Sequence, residues 1–479
     1  MSIRERTLKY RYLTGDLLTA MVAWTLFFYF RKSGLDRNPI EQTSMLFADP
    51  NFWWGVILVP VGWIALYAFM GSYRKTMRKA RLKELGDTAI ASLIGVIVLF
   101  FAVMLDDEIR SYKYYYISFL FLLVVHFVLT YAVRLALTTH TVNKIHSRKI
   151  GFPTLLVGSG PNAYRTYLDL ENQEIYTGNI FVGFLSLPHD GEESRVDSRL
   201  AGIMPHLGTL AQCREIINQH PVEEVIIALE DNEKESIRDI LLAVNSADDL
   251  ILRITPDTRD LLVGHVKVDN VFHSPLITID NRLMSEWQYS LKRATDVFIA
   301  SIALILLSPV YLITAILVKC TSSGPVFYTQ ERIGQYGRPF RMHKFRSMYV
   351  DAEASGPALS TDDDPRITPF GRFMRRVRLD EIPQFYNVLR GTMTMVGPRP
   401  ERQYYIDLIV QRAPEYLLLQ RLKPGITSWG QVRYGYASSV DEMVERLRYD
   451  LLYIENMSPA TDIKILLYTI KIIIQGRGK

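Results

Sequence analysis

Cysteine is almost missing from this chain of 479 residues: Cys213 and Cys320 are the whole supply, and they stand far apart in different segments. That excludes a disulfide framework and a cysteine-based zinc site, and it fits soluble parts kept in a reducing cytosol. An excess of charge of one sign is also missing. A net charge of +5 does not call for a nucleic-acid partner, and the places where basic residues cluster say more. A cleavable signal is absent as well, because the first apolar run has full spanning length and no small-residue cleavage site after it.

Apolar residues are plentiful, 48% of the chain, and unevenly spread. The length predicts about three domains. The first third holds four apolar runs, near residues 12–30, 52–70, 88–105 and 114–133, each close to the ~20 residues that cross a hydrocarbon core. Asp16 and His126 are the ionisable groups inside them, and Asp16 reads as an interhelical or snorkelling residue rather than a catalytic one. Basic residues flank the runs on one side: Arg4, Arg6, Lys9 and Arg11 before the first, Arg74 to Lys83 after the second, and Arg134, Lys144, Arg148 and Lys149 after the fourth. The loop between the third and fourth opens with Asp106-Asp107-Glu108. The positive-inside rule therefore places both ends of a four-helix transmembrane bundle in the cytoplasm.

Residues 149–280 alternate strand-like and helix-like runs, the pattern of a parallel sheet with crossover helices. Within it, Gly158-x-Gly160-x-x-Ala163 follows a strand-like run and is similar to a dinucleotide fingerprint. The first acidic residue after the second strand, Asp190, comes late for a ribose contact. The reading is a Rossmann-like α/β domain with a structural or regulatory role. A dehydratase or other redox enzyme usually relies on a Tyr-x-x-x-Lys pair, and the chain has none.

Residues 294–318 form a further apolar run in which Asp296 is the only charge, with Lys292-Arg293 before it and Lys319 after it. Pro309 near its centre removes a backbone donor and clashes with the preceding turn, so a helix bends or breaks at Ser308-Pro309. A helix that enters the membrane, bends there and returns keeps the soluble segments on both sides of it in the cytoplasm, with its basic ends at the headgroups.

The chemistry lies beyond this run. Gln330-x-Arg332-x-Gly334, Lys344-Phe345-Arg346-Ser347-Met348 and Gly371-Arg372-Phe373-Met374-Arg375-Arg376 lead into Arg378-Leu379-Asp380-Glu381-Ile382-Pro383-Gln384. Val396-Gly397-Pro398-Arg399-Pro400 and Lys423-Pro424-Gly425 follow. Guanidinium groups grip phosphate oxygens in pairs, and the prolines beside Arg399 lower the cost of aiming it. Arginines interleaved with glycine, proline and carboxylates read as a phosphate site rather than a solvated basic face.

On these three blocks, Lys344–Met348, Leu379–Gln384 and Val396–Pro400, the chain from Lys292 onward resembles the bacterial sugar transferase family. These are monotopic phosphoglycosyl transferases that start glycan assembly on undecaprenyl phosphate. With the four spans and the α/β segment, the whole chain resembles the large members that initiate exopolysaccharide, capsule or O-antigen synthesis. The resemblance implies three parts: four transmembrane helices over 1–145, a Rossmann-like domain over 146–280, and a mainly α catalytic domain over 281–479 with a re-entrant helix near 294–318. It implies Asp380 as nucleophile on the sugar-bearing phosphate of a UDP-sugar, releasing UMP and leaving a covalent phospho-sugar on the enzyme. Glu381 would orient metal or acceptor, and Mg²⁺ would be held by Asp380 and substrate phosphates. Lys344, Arg346, Arg375, Arg378, Arg399 and Asp450 would bind substrate or phosphate. The donor is taken as UDP-glucose, with UDP-galactose or a UDP-N-acetylhexosamine as alternatives. The acceptor is undecaprenyl phosphate at the bacterial inner membrane, and a homodimer is compatible with the layout.

A rival reading is a glycosyltransferase that releases UDP and uses Asp362-Asp363-Asp364 as an Asp-x-Asp metal site. Its approach, residues 354–361, reads as a loop rather than a hydrophobic strand. The C-terminal run from Asp462 to Ile474, apolar with spaced lysines, reads as an interfacial helix lying on the membrane.

Overall fold

The computed structural model describes residues 3–33, 47–104, 113–173, 175–187, 196–244, 250–255, 276–279, 283–352, 364–435 and 437–475. The chain divides into two compact units, residues 1–151 with 175–178 and residues 152–174 with 179–479.

The first unit is a helical bundle of α1 (Ile3–Ser33), α2 (Pro50–Phe69), α3 (Arg81–Leu99) and α4 (Lys113–His146). All four are long and apolar enough to cross a membrane. Asp49 caps α2 by accepting from Asn51 N at 3.0 Å, with Pro50 at the first helical position, where a missing N–H does no harm. The fourth helix runs well past the residues expected from the sequence. Arg134, grouped there with the basic residues after the span, lies inside α4 and is buried. Its Nε and Nη2 donate to Asp16 Oδ1 and Oδ2 at 2.8 and 2.7 Å, and its Nη1 reaches Glu84 Oε1 at 3.1 Å. Tyr73 also donates to Asp16, at 2.8 Å. Asp16 is thus an interhelical partner, as its position near one end of the first span implied. A buried guanidinium is tolerated because its donors meet two carboxylates. The Asp106-Asp107-Glu108 loop lies outside the described residues.

In the second unit, residues 152–279 build a six-stranded sheet in the order β3-β2-β1-β4-β5-β6. Its strands are β1 (Phe152–Val157), β2 (Asn179–Ser186), β3 (His206–Thr209), β4 (Glu224–Ile227), β5 (Ile251–Ile254) and β6 (Ile277–Ile279). Only the β5–β6 pairing is antiparallel. Alternate residues face opposite sides, so Leu155 and Val157 enter one core and Leu156 the other. Both faces are covered, which explains why these strands read as continuous apolar runs. Helix α5 (Pro161–Glu171) follows β1 directly.

The remainder begins with α6 (Glu286–Leu306) and α7 (Ser308–Thr321), bent by 62° at the break between them. Pro309 opens α7, and Ser308 Oγ donates to Ile305 O at 2.7 Å. One side of the pair packs inward through Ala300, Thr314 and Val318, while Phe298, Ile305, Leu306 and Leu312 are exposed. An apolar face of that size is covered by something in a soluble or membrane setting, so α6 and α7 are not a simple buried core pair. Asp296 is not left unpaired in this run: Oδ2 accepts from Thr394 Oγ1 at 2.6 Å and Oδ1 from Met395 N at 3.0 Å.

An antiparallel hairpin follows, β7 (Phe327–Ile333) and β8 (Pro339–Phe345), turned through Tyr336 and Gly337, both at positive φ. Then come α8 (Pro369–Arg376), α9 (Gln384–Arg390), β9 (Thr394–Val396), β10 (Gly425–Thr427), α10 (Trp429–Arg433), α11 (Val440–Glu455) and α12 (Pro459–Ile474). The parallel β9–β10 pair lies at the centre, with α6 and α12 against it. Lys292 Nζ donates to Val396 O at 2.9 Å and to Asp462 Oδ2 at 2.5 Å, tying α6 and α12 to the strand. Ile465 of α12 is buried, whereas Ile463, Leu467 and Ile470 are exposed, so this helix both packs and presents an apolar face.

Candidate active site

The acidic pair sits in a single 3₁₀ turn, Leu379–Glu381, entered through Arg378 at φ 58°. Left-handed backbone is uncommon for a non-glycine residue, and here it reverses the chain out of α8 so that Asp380 and Glu381 both turn inward. Pro383 follows as the residue before α9, so Asp380 lies ahead of that helix rather than within it.

Three cations reach Glu381 from three elements. Lys344 Nζ of β8 donates to Oε1 at 3.2 Å, Arg399 Nη1 stands 3.8 Å from the same oxygen, and Arg378 Nη1 lies 3.9 Å from Oε2. Arg399 is placed by the strand pair. Gly397 N donates to Thr427 O and Gly425 N to Pro398 O, so the loop is pinned just before the arginine. Gly397 has to be glycine, because a Cβ there would lie 2.3 Å from Lys423 O. Arg375 arrives on α8, whose N-terminus is capped by Thr368 Oγ1 accepting from Gly371 N, and its Nε donates to Ser347 Oγ at 3.0 Å.

Lys344, Arg346, Arg375, Asp380, Glu381 and Arg399 all line one cavity of about 560 Å³. Two predicted residues do not line it. Arg378 stands behind Glu381. Asp450 of α11 accepts from Gly430 N at 2.9 Å, in the first turn of α10, which Ser428 caps. Burial raises its carboxyl above the ordinary range. The charged lining residues absent from the sequence assignment include Arg332, Glu401 and Arg446. Glu401 accepts from Arg446 Nη2 at 2.8 Å and from Arg332 Nη1 at 3.3 Å, and Arg332 Nη1 also donates to Pro400 O. This buried fork pins the chain just after Arg399. The glutamate directly after Pro400 was the available signal.

Environment separates the two carboxylates. Burial, and next the neighbouring Glu381 charge, raise Asp380 above its ordinary range against Lys344, Arg375 and Arg399. Burial pushes Glu381 the same way, but Lys344, Arg399 and Arg378 outweigh it and hold Glu381 down at about 2. Burial lowers Lys344, opposed chiefly by Glu381. One group is therefore a permanent anion and the other a more basic carboxylate, the division of labour expected of an acid–base or nucleophilic site.

Mg²⁺ fits this donor set. It takes one or two carboxylates together with phosphate oxygens and water, and needs no protein cage. No cluster of three or more His, Cys, Asp or Glu occurs among the described residues. Glu381 Oε2 is buried and accepts no hydrogen bond, Arg378 Nη1 standing 3.9 Å away, so its lone pairs are not committed. For the Asp-x-Asp alternative, Asp362 and Asp363 lie outside the described residues. Asp364 is committed to Arg366, with Nε at 2.8 Å and Nη2 at 2.6 Å.

A cavity ringed by cations, with an ionised carboxylate and a basic one at its wall, is an anion-binding reaction site. Comparison with known proteins agrees. Residues 287–476 match the family model described as bacterial sugar transferase, and residues 68–251 match one described as a CoA-binding domain. The chain is 39% identical over 219 residues to a UDP-N-acetylgalactosamine-undecaprenyl-phosphate N-acetylgalactosaminephosphotransferase of Aeromonas hydrophila, covering 46% of this chain and 51% of that one. It is 33% identical over 301 residues to a UDP-glucose:undecaprenyl-phosphate glucose-1-phosphate transferase of Escherichia coli, covering 62% and 63%. An uncharacterized sugar transferase of Haemophilus influenzae is 30% identical over 343 residues, covering 68% and 69%. The matched stretch thus spans about half to two thirds of these relatives. The chain belongs to the bacterial sugar transferase family.

The α/β segment does not fit an anionic cofactor at its glycine turn. Glu230 Oε1 accepts from Asn162 N at 2.7 Å, at the start of α5, where a pyrophosphate would be received. A Cβ on Gly160 would lie 2.6 Å from the same oxygen. The carboxylate of the chain itself fills the place.

Proposed function

We propose that this protein transfers a sugar-1-phosphate from a UDP-hexose to undecaprenyl phosphate, through a covalent intermediate on Asp380. The observation that carries the reading is the paired environment of Asp380 and Glu381: a buried carboxylate made more basic, beside one held ionised by three cations. UDP-glucose is the first donor to test, with UDP-N-acetylgalactosamine and UDP-galactose as alternatives; the names of the relatives divide between glucose and N-acetylgalactosamine.

In the first half-reaction an Asp380 oxygen attacks the sugar-bearing β-phosphorus. The P–O bond to the α-phosphate breaks and UMP leaves with that electron pair. In the second, a phosphate oxygen of undecaprenyl phosphate attacks the same phosphorus, the acyl-phosphate bond breaks, and the Asp380 carboxylate is regenerated. Two displacements at one phosphorus make the kinetics ping-pong. Carboxylate and diphosphate repel, so the cavity has to offset like charges. Mg²⁺, when bound by Asp380 with substrate phosphates, supplies part of that neutralisation. Lys344, Arg375 and Arg399 supply the rest from fixed positions that need no reorganisation during reaction. Glu381 keeps Lys344 and Arg399 converged beside the nucleophile.

The bend between α6 and α7, with its exposed apolar face, supports a re-entrant helix that brings a lipid phosphate to the cavity. The four apolar helices support a place in the bacterial inner membrane with the catalytic part cytoplasmic. The doubly wound strand order of the sheet supports a Rossmann-like domain.

The test is UMP release by purified protein with Mg²⁺, undecaprenyl phosphate and a panel of UDP-sugars, alongside Asp380→Asn. UMP from one sugar, reduced roughly 10⁴-fold in the variant, is the expected result. UDP as the product would replace this reading with a glycosyltransferase, and release of neither nucleotide would remove it.

A further inference from the structure

The Arg346 guanidinium is buried, yet only one of its nitrogens is satisfied. Nη2 donates to Ser322 O and Ser322 Oγ, both at 2.8 Å. Nε and Nη1 are buried with no hydrogen-bond partner, and no carboxylate pairs with Arg346 among the described residues. Arg346 is only 5% exposed, so an uncompensated cation here is costly unless an anion completes it.

The surroundings are built for this side chain. Gly324, at φ 119°, would place a Cβ 2.0 Å from Nη1, so the loop closes on the guanidinium only because glycine stands there. Lys319 Nζ holds the same loop by donating to Gly324 O at 3.1 Å. Ser322 ends α7, its N–H closing the last turn on Val318 O. Arg346 is therefore fixed to the exit of the bent apolar helix pair, while Lys344 and Arg399 converge on Glu381. The cavity wall beside it carries Phe327, Tyr349 and Val350, all well exposed.

We propose that Arg346 is the acceptor subsite: its unpartnered Nε–H takes an oxygen of the phosphate monoester of a long-chain lipid, whose tail leaves over Phe327, Tyr349 and Val350. Nε and Nη1 lie on different edges of the guanidinium and Nη2 is held by Ser322, so the contact is a single charge-assisted bond rather than a fork. The same chemistry could meet the β-phosphate of the donor, so the experiment has to separate the two sources. The inference rests on the two-step transfer proposed above.

Initial rates of UMP release from the full-length protein in lipid nanodiscs are measured against UDP-sugar and undecaprenyl phosphate in turn, for the parent, Arg346→Met, Arg346→Lys and Ser322→Ala. Arg346→Met raises the KM for the lipid phosphate about tenfold to a hundredfold, with the smaller change on the KM for UDP-sugar. Arg346→Lys recovers part of the loss, which a purely structural role would not produce. Ser322 is partly exposed, and its variant, which loses one of the two bonds aiming the guanidinium, raises the lipid KM about threefold. It decides the matter if Arg346→Met does not fold. A larger rise in the KM for UDP-sugar, or an unchanged lipid KM in Ser322→Ala and Arg346→Lys, overturns the inference. No UMP from the parent with any sugar sinks the transfer reading itself, a separate outcome.

Discussion

Lys344→Met removes the shortest of the three charge contacts described above at Glu381. At an effective dielectric near 20, a unit pair at the 3.2 Å between Lys344 Nζ and Glu381 Oε1 is worth roughly 5 kcal/mol, against about 4 kcal/mol each for Arg399 and Arg378. Losing the largest of these raises Glu381 from about 2 toward the ordinary carboxylate range, because burial is then opposed by Arg399 and Arg378 alone. Glu381 then remains an anion at neutral pH. Lys344 also opposes the rise of Asp380, so its loss leaves Asp380 pushed further up. In the proposed transfer Asp380 attacks as a carboxylate, active above its pKa, so the acid limb of kcat/KM moves to higher pH in the variant. That limb belongs to the coupled pair rather than to one residue. The rate at the optimum falls roughly 10²- to 10³-fold, as for the loss of one preorganised charge donor. Lys344→Arg keeps the charge and returns the limb toward its parental position, with only part of the rate because a planar fork replaces a point charge. The assay is UMP release from pH 5 to 9. A parental acid limb in Lys344→Met would refute the account of the pair.

Asp380→Asn should raise the melting temperature at neutral pH, because the parent buries a carboxylate whose pKa is raised on folding. Its folded form binds the proton more tightly, so parental stability is highest below the unfolded value of about 3.9 and falls as pH rises through the folded pKa, by about 1.4 kcal/mol per unit of difference. The advantage of the variant therefore vanishes in acid, and an advantage that grows in acid would contradict the assignment. Gly397→Ala places a methyl against Lys423 O, costs about 1–3 kcal/mol in thermal melts, and slows UMP release by moving Arg399; a silent substitution would show that the β9–β10 loop does not aim it. Arg134→Leu strands Asp16 and Glu84 in the bundle and costs about 3–5 kcal/mol in detergent melts, much of it regained by adding Asp16→Asn and Glu84→Gln. Equal melting of parent and Arg134→Leu would remove the triad from the stability of the bundle.

Much of this protein is legible in the sequence because the signals are local. A ~20-residue apolar run with basic flanks specifies a membrane-length helix without reference to the rest of the chain. Pro309 breaks its helix for covalent reasons, and the alternating apolar runs of 149–280 specify a sheet covered on both faces. The reactive blocks were visible because Asp380-Glu381 and Arg399 stand beside prolines and glycines in short motifs. Other features lay beyond local reading. The extra turns of α4 that bury Arg134 depend on Asp16, 118 positions earlier in the chain.

By itself, the sequence determined which segments are apolar enough for a membrane, where one of them bends, and which residue types gather for phosphate chemistry; composition, periodicity and proline stereochemistry act within a few residues. Only the tertiary structure decided which charges share a site. Asp450 and Arg375 were both assigned to the phosphate site, yet one accepts from a backbone N–H at a helix start and the other lines the cavity. Glu401 and Arg446 meet across 45 positions. Glu230 fills a glycine turn that reads as a cofactor site. Electrostatic energy and hydrogen bonding fall off over a few ångströms of space, and distance along the chain does not report that space.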